Sequence, residues 1–134
     1  GVQEFVDGLA AIVAGDGEPV DKLRAAVVNH LGPLRDRRAY VRTFLFSRHS
    51  LPPEQRGEVA RLSRAYEALL RRLIEQGRAA GAFRAAVEPA LAVKAFTGMC
   101  NAAAASHRPD ARTPLEDYIA AFTALILHGL TGDT

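Results

Sequence analysis

Apolar residues recur every three or four positions along most of the chain, a spacing that places them on one face of an α-helix. Six segments with this pattern are separated by prolines and glycines, which are typical of helix ends. They cover residues 3–14, 19–31, 37–48, 54–80, 89–106 and 113–128. Since no stretch alternates apolar and polar residues for long enough to form a strand, the sequence predicts an all-α fold, a six-helix bundle.

Particular residues indicate where these helices end and which face they bury. Gly81 is a natural left-handed stop for the fourth helix. Thr113 and Glu116, with Pro114 between them, have the spacing of a capping box in which Thr113 is the N-cap of the last helix. The apolar stripe of the second helix is predicted to consist of Leu23, Val27, Val28 and Leu31.

The last two helices are apolar on more than one side, whereas a surface helix needs a single apolar stripe. Both are also rich in small residues, so helix backbones can approach closely. One explanation is a four-helix interface with a second copy of the chain, related by two-fold symmetry; a larger internal core is the alternative. The interface residues predicted on this basis are Leu91, Ala95, Ala102, Tyr118, Phe122, Leu125, Ile126 and Gly129.

Bulky or polarisable residues on three different helices accompany a run of alanines at 102–105. Large side chains opposite small ones can leave a hollow, and an apolar hollow is a usual site for a small molecule. Simple close packing explains the same residues equally well. The lining residues predicted for such a pocket are Phe44, Arg48, Tyr66, Leu70, Phe96, Met99, Cys100 and Ala103.

The composition is that of one folded domain: 134 residues, 49% hydrophobic and 24% charged. A single cysteine excludes an internal disulfide and a cysteine-based structural zinc site. The sequence has no run that could span a bilayer and no signal-peptide pattern at its start, so we expect a cytoplasmic protein with no membrane partner. Because it begins without methionine, we expect a fragment or a processed piece of a longer protein.

Positive charge is concentrated in the middle of the chain. Residues 35–84 carry twelve basic and five acidic groups, and all twelve basic residues are arginine, although the whole chain has a net charge of only +2. A solvated helix face is the ordinary explanation. An anion-holding surface is the alternative, since the planar guanidinium group fits carboxylate and phosphate.

The sequence contains no recognisable catalytic constellation. His30, His49, His107 and His128 lie on different segments without metal-ligand spacing. Glycine-rich phosphate loops are absent, and the acidic residues form no pair that the pattern places across a cleft. We therefore expect neither enzyme activity nor a metal or cofactor; a small all-helical enzyme would require interacting titratable groups in a pocket.

Two motifs are the most specific parts of the chain: IEQGRAAGAFR at 74–84, and GMCN at 98–101 followed by RPD at 108–110. With the order of the helices, they resemble the C-terminal ligand-binding and dimerisation domain of TetR-family transcriptional regulators. The resemblance is closest to regulators of fatty-acid and sterol breakdown, many of which respond to acyl-CoA thioesters. It implies a homodimeric repressor domain and a hydrophobic or acyl-CoA-like ligand that changes the spacing of two DNA-binding heads.

Two departures from the family pattern affect what the resemblance implies. The helix-turn-helix module is absent from residues 1–134, so operator DNA would be a partner only through that missing module. After the Gly-Met-x-Asn motif the acyl-CoA subgroup often has tryptophans, where this chain has Ala102 to Ala105. A stand-alone helical module for dimerisation or ligand binding, with no role at DNA, is the alternative function.

Overall fold

The computed structural model describes residues 2–35, 52–106 and 112–132. They form α1 (Val2–Ala14), α2 (Pro19–Leu31), α3 (Pro53–Ala79), α4 (Pro89–Ser106) and α5 (Leu115–Thr131), with a 3₁₀ helix at Gly32–Arg35. No strand occurs within these ranges, which confirms the all-α prediction. The described residues contain five α-helices, and the further helix predicted at 37–48 lies outside them.

The helices enclose one apolar core, and all five of the described α-helices contribute to it. α1 packs against α2 and α3, α3 packs against α4, and α5 packs more extensively on α2 than on α4. The most deeply buried side chains include Leu9 on α1, Leu23 and Leu31 on α2, and Leu70 and Leu73 on α3. None of the described helices is both long enough and apolar enough to cross a membrane.

The predicted stripe of α2 is correct except for Val28, which is 49% exposed. Each helical residue is turned by about 100° from the one before it, so Val28 points away from the core that Val27 enters. It lines a groove of about 520 Å³ between α2 and α5.

Two polar side chains of α2 bind the backbone of α1. The Lys22 ammonium donates to the carbonyl of Val13 at 2.8 Å, and the Asn29 amide donates to the carbonyl of Phe5 at 3.1 Å. The last four carbonyls of a helix have no partner within the helix, so Lys22 caps α1. These bonds hold α2 against α1 next to the buried residue His30.

α3 ends in a Schellman motif, as the position of Gly81 predicted. Gly81 has a φ of +77°, in the left-handed region. The N–H of Gly81 donates to the carbonyl of Arg78 at 3.1 Å, and the N–H of Ala82 donates to the carbonyl of Gly77 at 2.9 Å. These two bonds satisfy carbonyl groups that the end of the helix leaves without partners.

The capping box predicted at Thr113 is wrong. Pro114 is the N-cap of α5, with an extended backbone and no side-chain hydrogen bond, and the helix begins one residue later than the box requires. Glu116, which would have to turn back toward Thr113, instead pairs with Arg35 of the 3₁₀ helix at 2.7 Å. The ion pair with Arg35 thus engages the Glu116 carboxylate that the capping box would require.

Candidate functional site

A pair of polar side chains lies at the centre of the bundle. His30 of α2 is only 3% exposed and Tyr66 of α3 only 4%. The Nδ1 atom of His30 is 2.7 Å from the hydroxyl oxygen of Tyr66, which is a short hydrogen bond. The two residues are 36 positions apart in the sequence, so only the packing of α2 on α3 brings them together.

Aromatic rings from three other helices surround the imidazole of His30. Its ring makes edge contacts with Phe5 of α1, Tyr66 of α3 and Phe96 of α4, at centroid distances of 6.3, 5.3 and 5.9 Å. Edge-to-face packing is a favourable arrangement for such rings. These contacts hold the imidazole in one orientation inside the core.

Burial keeps the groups of this cluster uncharged near neutral pH. It lowers the pKa of His30 to about 4, and the neighbouring Asn101 amide offsets only part of that effect. Burial also raises the pKa of the Tyr66 hydroxyl, and it raises the pKa of the Cys100 thiol to about 12. The centre of the core is therefore polar but neutral.

Two polar atoms of the cluster have no hydrogen-bond partner among the described residues. They are Nε2 of His30 and Oδ1 of Asn101, and each is shielded from solvent. Hydrogen bonding by the Asn101 side chain nevertheless raises the pKa of His30, so the two side chains engage each other in a contact that is longer or less well aligned than a standard hydrogen bond.

Most of the residues predicted to line a pocket belong to the core or pack against it. Tyr66, Leu70, Phe96, Cys100 and Ala103 are all buried, and Met99 is half-buried. The predicted residues Phe44 and Arg48 lie outside the described part of the chain.

His30 is not among the predicted site residues, because the histidines lack metal-ligand spacing. The apolar spacing of α2 nevertheless indicates that this residue is buried. Val27 lies four residues after Leu23, and His30 lies three residues after Val27. This helical spacing places His30 on the buried stripe of α2.

A second feature is an apolar groove of about 300 Å³ between α4 and α5. Five of the predicted interface residues line it: Leu91, Ala95, Leu125, Ile126 and Gly129. The groove exists because α5 leans on α2 and makes a smaller contact with α4.

Large apolar side chains are exposed along this groove. Leu91 is 64% exposed and Leu125 is 61% exposed. Exposing two large apolar side chains to water on neighbouring helices costs free energy. Tyr118 and Phe122 are half-buried and pack edge to face at 5.8 Å. Ile126 departs from the prediction because it is 8% exposed and belongs to the core.

The exposed positions follow one spacing on both helices. We define the apolar face as positions 91, 95, 98 and 102 of α4 with positions 118, 122, 125 and 129 of α5; each set advances by four, three and four residues. This interval keeps residues on one side of a helix. A Cβ atom built on Gly98 or Gly129 would meet nothing within 4 Å among the described residues, so this side of both helices is open.

Two arginine pairs of α3 fit the ordinary explanation for the basic segment, a solvated helix face. Arg61 pairs with Glu58 at 2.6 Å and Arg71 pairs with Glu75 at 3.1 Å, and all four side chains are more than half exposed. Exposed pairs of this type contribute little to stability. The described residues also contain no group of three side chains that could hold a metal ion.

Known proteins match this chain both in sequence family and in fold. Residues 16–130 match the family described as "Tetracyclin repressor-like, C-terminal domain". Among curated proteins, none matches the chain in sequence.

Solved structures with the same fold include two TetR-type transcriptional regulators and the protein AibR. A TetR/AcrR-family regulator from Thermobifida fusca is 26% identical, with a TM-score of 0.81 over 96% of this chain and 67% of its own. PfmR, a TetR-family regulator from Thermus thermophilus, is 28% identical, with a TM-score of 0.80 over 96% of this chain and 70% of its own. AibR, solved with isovaleryl coenzyme A and operator DNA, is 22% identical, with a TM-score of 0.79 over 96% of this chain and 69% of its own.

Proposed function

The chain belongs to the family of tetracyclin repressor-like C-terminal domains, and we propose that it is the ligand-sensing and dimerisation part of a bacterial TetR-type repressor. In this proposal a hydrophobic small molecule binds in the helical domain and changes the DNA affinity of the assembled regulator. DNA would be contacted by a separate segment that is not among these 134 residues. The observation that carries the proposal is the exposed apolar face of α4 and α5.

Dimerisation through this face removes the exposed leucines from water. Burying a leucine side chain completely contributes about 1.5–3 kcal/mol, and Leu91 and Leu125 are both more than 60% exposed. Ala95, Gly98, Ala102 and Gly129 along the same face are small, which allows two helix pairs to approach closely. A two-fold axis would place α4 and α5 of one copy against the same helices of the other.

Sedimentation velocity on the 134-residue chain tests this interface. We expect a dimer, and we expect Leu125→Glu to shift the population toward monomer because burying a carboxylate in an apolar interface is costly. Val28→Glu is the matched control, since Val28 is also a large exposed apolar residue but lies on α2. A monomeric wild-type chain, or equal effects of the two variants, would contradict the proposal.

The ligand class is proposed to be acyl-CoA thioesters. AibR shares the fold and was solved with isovaleryl coenzyme A, and the apolar core around Phe96, against which Met99 packs, offers surroundings suited to an acyl chain. The proposed binding residues are those predicted to line the pocket: Phe44, Arg48, Tyr66, Leu70, Phe96, Met99, Cys100 and Ala103. A ligand shifts the regulator between two arrangements only by its differential affinity for them.

Thermal unfolding with isovaleryl-CoA and with lauroyl-CoA tests the ligand class, and free coenzyme A is the control. A ligand at about 100 times its dissociation constant adds about 2.7 kcal/mol to the free energy of unfolding. We expect stabilisation by at least one thioester and not by coenzyme A. Equal stabilisation by coenzyme A, or none by either thioester, would contradict an acyl-CoA ligand.

The regulatory part of the proposal is tested on the intact regulator. Operator affinity is measured by fluorescence anisotropy with and without each compound that stabilises the domain. We expect a bound ligand to weaken operator binding, since the proposed regulator is a repressor. If no binding compound changes operator affinity, the domain is a binding module without a role in regulation.

A further inference from the structure

The groove of about 520 Å³ between α2 and α5 is separate from the predicted pocket and from the apolar face, and it shares no lining residue with either. Its positions 123, 127 and 131 on α5 are turned by about 140–220° from Tyr118, whereas the other apolar-face positions of that helix lie within about 40° of Tyr118. A dimer formed through the apolar face therefore leaves this groove open.

Two basic side chains stand on opposite sides of the groove. Arg35, which follows α2, pairs with Glu116 in the first turn of α5 at 2.7 Å, so α2 runs toward the start of α5 and the two helices are antiparallel. Arg24 lies eleven residues before Arg35. His128 lies twelve residues after Glu116. Both line the groove, at roughly the same height along it.

The groove has the charge and the walls that suit an anion with an apolar body. Neither Arg24 nor His128 has an ion-pair partner among the described residues. None of the described residues that line the groove is acidic. Its apolar walls are formed by Val20, Val28, Ile119, Ala120, Ala124 and Leu127. Such a site favours a ligand that is apolar over most of its surface and carries one negative charge.

A buried hydroxyl group adds a hydrogen-bond donor to the groove. Thr123 lines it and is only 7% exposed. The hydroxyls of Thr97 and Thr131 bond to the carbonyl four residues earlier in their own helices, at 3.0 and 2.8 Å. The hydroxyl of Thr123 makes no hydrogen bond within the described part of the chain, and it is not sealed inside the core. Because an unpaired buried polar group costs free energy, a ligand that bonds to Thr123 gains affinity.

We propose that the groove between α2 and α5 binds a small carboxylate that carries an apolar chain. The guanidinium of Arg24 pairs with the carboxylate through its planar fork, His128 offers a ring N–H from the opposite helix, and the hydroxyl of Thr123 donates to a carboxylate oxygen. The chain lies along Val28 and Ile119, toward the start of α5. The site extends the proposed function to a second ligand and does not require that acyl-CoA thioesters bind.

Calorimetric titration of the 134-residue chain with octanoate, octanamide and inorganic phosphate tests both parts of the ligand. Octanamide has nearly the shape of octanoate without its charge, and phosphate has a charge without a chain. We expect octanoate to bind about 2- to 5-fold more tightly than octanamide, the upper range for an exposed ion pair, and the difference should shrink at high salt. Equal affinities for octanoate and octanamide, or phosphate binding as tight as that of octanoate, overturn the proposal.

Arg24→Met removes the charge and keeps most of the length of the side chain. It should abolish the preference for octanoate over octanamide while changing the affinity for octanamide little. Arg72→Met is the matched control, since Arg72 is an exposed arginine of α3 that does not line the groove. A preference that survives in Arg24→Met, or that is lost equally in Arg72→Met, overturns the proposal.

Thr123→Val removes the hydroxyl and keeps the shape of the side chain. It should weaken octanoate binding about 2- to 12-fold, the effect of one net hydrogen bond. The midpoint of thermal unfolding without ligand should not fall, because the hydroxyl bonds to no described residue. This second measurement separates a ligand donor from a structural hydroxyl. A lower midpoint with unchanged affinity for octanoate overturns the role of Thr123.

Ala124→Leu and Ala121→Leu locate the bound octanoate. Position 124 lines the groove, and position 121 is exposed on the same helix outside it. Filling the groove should weaken the binding of octanoate and octanamide alike, whereas Ala121→Leu should leave it unchanged. Binding that Ala124→Leu does not affect overturns this site and leaves the proposed function in place. If octanoate binds as expected but no acyl-CoA thioester does, the acyl-CoA proposal fails and the groove site stands.

Discussion

The aromatic ring of Phe83 lies directly against the backbone of Gly77, so closely that a Cβ atom at position 77 would overlap the ring carbons. The Schellman turn at the end of α3 makes this contact possible, because it folds the chain back onto the last turn of the helix. Phe83 is 3% exposed. Within the motif at 74–84, Gly77 leaves room for a ring and Gly81 provides the left-handed backbone.

Gly77→Ala is expected to destabilise the protein by about 2 kcal/mol, because the overlap with the Phe83 ring places the packing cost at the upper end of its range. Alanine favours a helix over glycine by about 1 kcal/mol, but forcing a methyl group into a packed contact costs about 1–3 kcal/mol or more. Urea denaturation measures the difference. Gly57→Ala, in the same helix, is the control: its Cβ would meet nothing within 4 Å among the described residues, so it should be stabilising. Equal stabilisation by both substitutions would contradict the close contact with Phe83.

Gly81→Ala is expected to destabilise the protein by about 1–2 kcal/mol, because a residue with a Cβ is strained at the φ of +77° found there. Gly81→Asn should cost less, since asparagine tolerates the left-handed region better than alanine does. The midpoint of thermal unfolding measures both. If alanine and asparagine are equally harmful, backbone strain is not the cause.

The stability of the protein is expected to fall as the pH is lowered from about 6.5 to about 4. The pKa of His30 in the folded protein is about 4, below the ordinary value of 6.5, so the unfolded chain binds the proton more tightly. The stabilising contribution is complete above pH 6.5 and is lost as the pH falls through this window. It amounts to about 3 kcal/mol when fully lost.

Urea denaturation across this pH range measures the effect, and two substitutions separate His30 from other titrating groups. His30→Gln should reduce the loss of stability on acidification, because glutamine does not titrate. His128→Gln changes an exposed histidine and should leave the wild-type dependence in place. The same pH dependence in all three proteins would exclude His30 as its source.

The thiol of Cys100 is expected to be unreactive in the folded protein. It is fully buried, and burial raises its pKa to about 12, whereas the thiolate is the nucleophile. Ellman's reagent should react slowly with the native chain and immediately in urea. The double variant Cys100→Ala, Ala79→Cys is the control, since position 79 is exposed, and it should react rapidly without urea. Rapid labelling of native wild type would show that the core opens at α4.

Much of the fold was predictable because helix formation depends on local spacing. The start and end of α4 agree with the prediction, and α3 differs from it by one residue at each end. Gly81 was recognised as a helix stop because its role is set by its own backbone. The capping box failed for the opposite reason: Glu116 is bound to Arg35, which is 81 residues away in the sequence.

The candidate site was predictable only in part. Tyr66, Phe96 and Cys100 stood out because bulky or polarisable residues are recognisable from the sequence. His30 did not, although its ring contacts both Tyr66 and Phe96. Its role depends on contacts with three other helices, and a search for metal-ligand spacing cannot reveal such contacts.

The sequence by itself determined the helical class, the positions of the described helices, the excess of apolar surface on the last two, and the family to which the motifs point. These properties follow from periodicity and from the backbone preferences of proline and glycine, both of which act over a few residues. The tertiary structure alone decided that His30 and Tyr66 share a hydrogen bond, that Phe83 covers Gly77, and that α5 leans on α2 and leaves the apolar face open. Each of these arises from the mutual packing of elements, which depends on the shapes of several surfaces at once.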